Sequence, residues 1–278
     1  MISKHDTSLK TLGPQAARLL MVLHERQHSL FTLADVIKIT RLKAASARSF
    51  IRALVGRGVV SRLQPGLFNL VPFELGREKD YLGNPYVVVR ELMGGRDYYI
   101  SHASAMDIHR MTTQPQLVVQ VSSPKLKRPR TIFGTDFHFI HCKLAHFFGF
   151  GEQWVTKQDK VLVSDLERTV LDGLKAPRYC GGITETAKGL AMRRSDLDTH
   201  KLVDYALRLN VTAVTQRLGY LMEVLDIGTS KDREHLRRHL TAAYASLDPL
   251  LPPEGKYLAR WRLRLNVSAE EIRALIQT

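Results

Sequence analysis

Lys43, Ser46, Arg48, Ser49 and Arg52 lie within ten residues of one another, and Arg62 and Gln64 follow shortly after. Ammonium, guanidinium, hydroxyl and amide groups are the side chains that hydrogen-bond phosphate oxygens and base edges of duplex DNA. A second basic surface is expected from two further sets. Lys125, Lys127, Arg128 and Arg130 share a loop without an acid, and Arg260, Arg262 and Arg264 alternate with apolar residues. On a strand those three arginines would share one face. They would serve either to grip phosphate or an acidic protein surface, or simply as solvated cations.

Residues suited to catalysis are present but poorly arranged. Nucleotidyl transfer needs a Gly-Ser turn followed by paired carboxylates for two metals, and no such pair follows one here. A restriction-type nuclease needs Asp followed by Glu-x-Lys, and Asp136 has no such companions. Asp165, Glu167 and Asp172 read as helix-start charge and a cap. His138, His141, Cys142 and His146 are zinc-type donors, but a strand over residues 137–142 sends His141 and Cys142 to opposite faces. Ser101, His102 and Ser104 lack a Gly-x-Ser-x-Gly elbow. Trp154, Trp261, Phe147 and Phe148 read as packing residues. The expectation is a binding protein with no catalytic residue, no cofactor and no metal.

The elements that would carry the first cation cluster form a small head. Residues 15–27 place Ala16, Leu19, Leu20 and Leu23 on one helical face behind Pro14. Thr32 is an N-cap for a short helix over 33–40, and residues 44–57 make a third helix with Ala47, Phe50, Ile51, Leu54 and Val55 inward. Residues 59–63, the turn Gln64-Pro65-Gly66 and residues 67–71 then read as a hairpin. Three helices and a hairpin in this order are a winged helix-turn-helix, whose second motif helix enters the major groove. That assigns DNA contacts to Lys43, Ser46, Arg48, Ser49, Arg52, Arg62 and Gln64; the competing reading is a solvated charged face.

Charge and length agree with that picture. At 278 residues the chain is long enough for two domains of ~100–200 residues each. The net charge of +14 attracts polyanions. Residues 1–73 carry eleven basic side chains against three acids, more than half of the excess in about a quarter of the length. No run approaches ~18 apolar residues, the start lacks a signal-peptide core, and two cysteines are too few for a disulfide framework. A cytoplasmic protein without membrane contact is expected.

The fold expected is α+β: a winged helix-turn-helix over residues 1–73, a linker over 74–85, and a larger mixed domain over 86–278 with a small sheet and a helical C-terminal region. In that body, helices are expected over 86–93, 103–111, 165–174, 184–193, 196–209, 212–225 and 231–247, and strands over 98–100, 116–121, 137–142, 153–156, 160–163 and 257–267. Residues 122–130 read as a hairpin-like loop, Ser164 with Glu167 as a capping box, and a short helix starts at Ala269.

Several segments together resemble the AbiEi-type antitoxins of bacterial toxin–antitoxin systems: the basic head, the wing ending Gly66-Leu67-Phe68, residues 98–105 (Tyr98-Tyr99-Ile100-Ser101-His102-Ala103-Ser104-Ala105), and Ser164-Asp165-Leu166-Glu167-Arg168-Thr169-Val170-Leu171-Asp172-Gly173-Leu174 with Pro177 and Gly181-Gly182. The resemblance runs over most of the chain, and its most specific part is 164–182. It implies a type IV antitoxin and transcriptional autorepressor. The head would bind inverted repeats in double-stranded DNA at its own promoter, and the body would oppose a nucleotidyltransferase-like toxin without a stable complex. The alternatives are a nucleic-acid-processing enzyme targeted by the head and a ligand-responsive repressor.

Overall fold

A computed structural model describes residues 12–114 and 116–274. The fold is α+β, and it divides into two compact units: one running through Arg96 with Thr131–Thr135 and Trp154–Lys160, the other comprising Asp97–Arg130, Asp136–Gln153 and the chain from Val161 onward.

In the first unit, α1 (Pro14–Glu25) starts on a proline and buries Ala16, Leu19, Leu20 and Leu23. The strand β1 (Leu30–Thr32) runs directly into α2 (Leu33–Thr40). Thr32 caps that helix: its Oγ1 accepts from the Asp35 N–H at 3.3 Å while the Asp35 carboxylate accepts from the Thr32 N–H at 2.8 Å. Helix α3 (Ala44–Gly56) buries Ala47, Ile51 and Leu54, as its periodicity requires. Strands β2 (Val60–Gln64) and β3 (Leu67–Leu70) complete an antiparallel sheet of order β1-β3-β2, with Gly66 at φ +83° in the turn between them. β1 has no counterpart in the sequence reading. Three residues are too few to show alternation, and the strand forms by pairing with β3, where Phe31 sits opposite Phe68 with the rings tilted and 5.8 Å between centroids. Helix α4 (Pro85–Met93) is capped by Asn84, which accepts from the N–H groups of Tyr86 and Val87.

The segment 74–85, expected to be an inter-domain linker, is tied down within this unit. Ser61 Oγ donates to the Tyr81 carbonyl, Asn69 Nδ2 to that of Leu82 at 2.9 Å, and Lys79 Nζ to that of Gly56 at 3.2 Å. Polar composition marks it as non-helical, but its carbonyls find donors on the sheet. Trp154, expected to pack, is 61% exposed, with Lys160 lying over its ring.

The second unit holds β4 (Tyr99–Ile100), β5 (Val118–Ser123) and all but an end residue of β7 (Thr135–His141), β8 (Phe150–Trp154) and β9 (Lys160–Ser164), with α5 (His102–Ile108) between β4 and β5; β6 (Arg130–Ile132) falls mostly in the first unit. The order is β7-β5-β4-β9-β8, with β4 antiparallel to β5 and parallel to β9. β5 and β7 are parallel, so the expected hairpin-like loop over 122–130 is instead the end of β5, residues 124–129 of a crossover, and the start of β6. Alternation reveals a strand but not its direction. Helices α6 (Leu166–Lys175), α7 (Ile183–Met192), α8 (Thr199–Leu209), α9 (Thr212–Val224) and α10 (Ser230–Arg238) follow; strands β10 (Ala245–Ser246), β11 (Lys256–Leu258) and β12 (Leu263–Leu265) and helix α11 (Ala269–Ala274) close the chain. Helix α10 stops well short of residue 247.

Two further expectations change. Asp165, not Ser164, caps α6, accepting from the Arg168 N–H at 2.8 Å, while the buried Ser164 hydroxyl bonds Thr169 Oγ1 at 2.8 Å. Glu167 closes no capping box; it accepts from the Asp198 N–H and pairs with Lys201. The strand expected over 257–267 is broken after β11 by a 3₁₀ turn, Ala259–Trp261, and by Arg262 at φ +52°. The break carries Trp261 fully into the core against Gly219 of α9, where an added Cβ would overlap the indole, and Trp261 Nε1 donates to Glu223 at 2.7 Å. Burying an indole with its N–H satisfied outweighs three strand positions.

Candidate nucleic-acid interface

Burial on α3 is one-sided: with Ala47, Ile51 and Leu54 inside, the outer face presents Lys43, Ser46, Arg48, Ser49 and Arg52, all exposed. Arg48 and Arg52 are one turn apart, so their like charges are neighbours. Arg62 is exposed on β2, and the half-buried Gln64 follows a register shift between residues 62 and 64. Such a bulge re-aims side chains at a strand end. Between α3 and the β2–β3 turn lies a concavity of about 310 Å³ whose lining includes Arg48, Arg52, Arg62, Pro65 and Gly66. Two separate elements thus bring three guanidinium groups to one hollow.

Among the described residues, none of Lys43, Arg48, Arg52 and Arg62 takes part in an ion pair. Adjacent like charges without counter-charges oppose folding slightly, and a polyanion removes that repulsion. α3 also begins differently from α2 and α4. It lacks the side-chain cap that both of those helices have, so its first N–H groups and positive dipole end are left for an external acceptor.

The expected second basic surface does not form a row. Arg260 pairs with Glu223 from the 3₁₀ turn, Arg262 lies over the Tyr244 ring in a left-handed conformation, and Arg264 on β12 donates to Tyr257 and the Pro253 carbonyl. The alternation that would have aligned them ends where Trp261 turns inward. In the crossover, Lys125 pairs with Asp97 at 2.6 Å and the half-buried Lys127 lies over Phe139, its pKa lowered by burial and then by Arg130 and Lys125. Arg128 and Arg130 are exposed. Cys142 is buried and His141 exposed, and among the described residues no three His, Cys, Asp or Glu side chains are grouped to hold a metal.

Sequence reasoning missed a polar centre inside the second unit. Arg168, fully buried on α6, pairs with Asp172 at 2.9 Å and donates to the Tyr99 hydroxyl at 2.9 Å. Burial works to lower the Arg168 pKa, but Asp172 outweighs it and holds the guanidinium protonated. His102, 3% exposed, contacts Ser101 Oγ through Nδ1 at 2.9 Å, and burial lowers its pKa to about 4, so the ring is neutral near pH 7. The available signal was an Arg and an Asp four apart on one helix, indistinguishable in sequence from a surface pair.

Set against solved structures, the chain matches the crystal structure of the RV2827C protein from Mycobacterium tuberculosis, with a TM-score of 0.72 and 15% sequence identity over 98% of this chain and 97% of that one. At that identity the likeness is one of fold. No family model and no curated protein matches the sequence. Among the described residues no helix is long and apolar enough to cross a membrane.

Proposed function

We propose that this chain is a double-stranded-DNA-binding regulator of the AbiEi antitoxin type, its first unit a winged helix-turn-helix that represses its own promoter. The carrying observation is that α3 and β2 bring the exposed Arg48, Arg52 and Arg62 to one concavity, with Lys43 exposed just before α3 and none of the four in an ion pair among the described residues. In this reading α3 enters the major groove, Arg48, Ser49 and Arg52 approach base edges, and Arg62 and Gln64 meet the backbone beside the turn. Lys43 and the uncapped α3 N-terminus hold a phosphate. The body opposes a nucleotidyltransferase-like toxin; the resemblance of residues 98–105 and 164–182 supports that part. The role assigned is binding, with no catalytic step.

Fluorescence anisotropy with a duplex from upstream of the gene, against a scrambled duplex of equal length, tests the reading. Preference for the upstream duplex at about 150 mM salt is expected, with log K falling by about 0.9 per neutralised phosphate against log salt. Equal affinity for both duplexes would overturn promoter recognition.

A further inference from the structure

Residues 98–105 and 164–182, which the DNA-binding face does not use, meet at one cavity of the second unit. It measures about 180 Å³ and is walled by Tyr99 and His102 from the first segment and by Arg168, Asp172, Lys175 and Arg178 from the second. It is smaller than the ~300–1,000 Å³ of pockets for drug-sized ligands, so it suits a compact group.

The chemistry of the walls is specific. Three cations face one carboxylate, and the neutral His102 adds no charge. Two atoms of the buried ion pair stay unmatched: Arg168 Nη1 has no acceptor and Asp172 Oδ2 has no donor, although Arg168 is 0% and Asp172 2% exposed. Leaving either group unsatisfied in the interior is costly, so a filled cavity should offer an acceptor and a donor together. Lys175 sits 3.1 Å from His146 Nδ1; burial lowers its pKa, Asp172 opposes that, and Arg168 and Lys143 add to it. Among the described residues its ammonium is in no ion pair.

We propose that this cavity binds a phosphate group that keeps a proton. Phosphate oxygens accept from Lys175 and Arg178, and because Arg168 Nη1 and Asp172 Oδ2 are closed to solvent, a small turn of that ion pair toward the cavity brings Nη1 to a phosphate oxygen and Oδ2 to the P–O–H. A cation is repelled by the three basic groups, and an apolar ligand leaves both unmatched atoms as they are. Sulfate has the same shape but no proton near neutrality, so it would set a lone pair against the Asp172 carboxylate. The phosphate group can be the free ion or a monoester. This inference stands apart from the DNA reading, and its failure leaves that reading untouched.

Isothermal titration calorimetry on the full chain, dialysed free of oxyanions, tests it with sodium phosphate, sodium sulfate and glycerol 3-phosphate in turn. One phosphate per chain is expected, with sulfate weaker by about 10-fold or more. Lys175→Ala and Arg178→Ala should each weaken phosphate by about 10-fold. Arg178 is exposed, so its replacement poses no threat to the fold. Tighter binding of glycerol 3-phosphate than of phosphate identifies an ester as the ligand, and the reverse order identifies the free ion. The proposal is overturned by absence of saturable phosphate binding up to about 10 mM, a Kd weaker than any specific site of this kind needs. Equal affinity for sulfate, or unchanged affinity in both variants, overturns it as well.

Discussion

The two units use the same side chain in opposite ways. In the first, Arg48, Arg52 and Arg62 are exposed and in no ion pair among the described residues. In the second, Arg168 is locked to Asp172 and Tyr99, Arg217 donates to the carbonyls of Leu174 and Ser246, and Arg260 and Arg264 are held by Glu223 and Tyr257. A net charge of +14 does not distinguish these roles. What separates them is whether an acceptor lies within reach in the folded chain. Cations with acceptors hold the fold, and those without hold a potential that an external polyanion can satisfy.

The sharpest way to break this contrast is to remove an arginine from each side and read both stability and binding. Arg168→Ala should destabilise the protein by about 3–5 kcal/mol in urea denaturation, because Asp172 is left as an uncompensated buried charge; a loss below about 1 kcal/mol would mean the pair is not structural. Next in size is a pH effect at the same centre. Burial lowers the His102 pKa from 6.5 to about 4, so between those values the unfolded chain binds a proton that the native chain refuses. Stability should therefore fall as pH drops through that window, by about 1.4 kcal/mol per unit and roughly 3 kcal/mol in all. His102→Asn, which tolerates the φ of +52° at this position, should remove that part of the slope in urea titrations at several pH values.

Arg52→Ala should do the reverse of Arg168→Ala. Affinity for the upstream duplex is expected to drop by about 1–3 kcal/mol if Arg52 reads a base, whereas stability stays within about 0.5 kcal/mol. A comparable loss of stability would show that Arg52 holds the fold and would dissolve the contrast. The smallest effect is expected at Thr32→Ala, which deletes the α2 cap and should cost about 1 kcal/mol in thermal denaturation. Since α2 packs on α3, that variant measures how much of any binding loss comes from the scaffold and how much from the cations.

Most helices were legible because their signals are local. Pro14, Thr32 and the spacing of Ala47, Ile51 and Leu54 lie inside the elements they specify, and α1, α2 and α3 start or end within a residue or two of where those signals put them. The cations proposed to meet DNA were equally legible, since a helix that buries one stripe must expose the other. Elements held by distant partners were not: β1 forms by pairing with β3, and the 74–85 segment is anchored by Ser61 and Asn69. The arginine row of 260–264 failed for one reason, the pull of Trp261 into the space beside Gly219.

The amino-acid sequence by itself determined the α+β class, most helix positions, the cap at Thr32 and the outward cations of α3, because 3.6-residue and two-residue periodicities are decided by neighbours along the chain. Only the tertiary structure decided that β5 and β7 run parallel, that Arg168 and Asp172 form an interior pair, and that segments 98–105 and 164–182 wall one cavity. Tyr99 reaches Arg168 across 69 positions of sequence. Whether a charge is buried, paired or left for a ligand depends on such remote contacts, which no local pattern encodes.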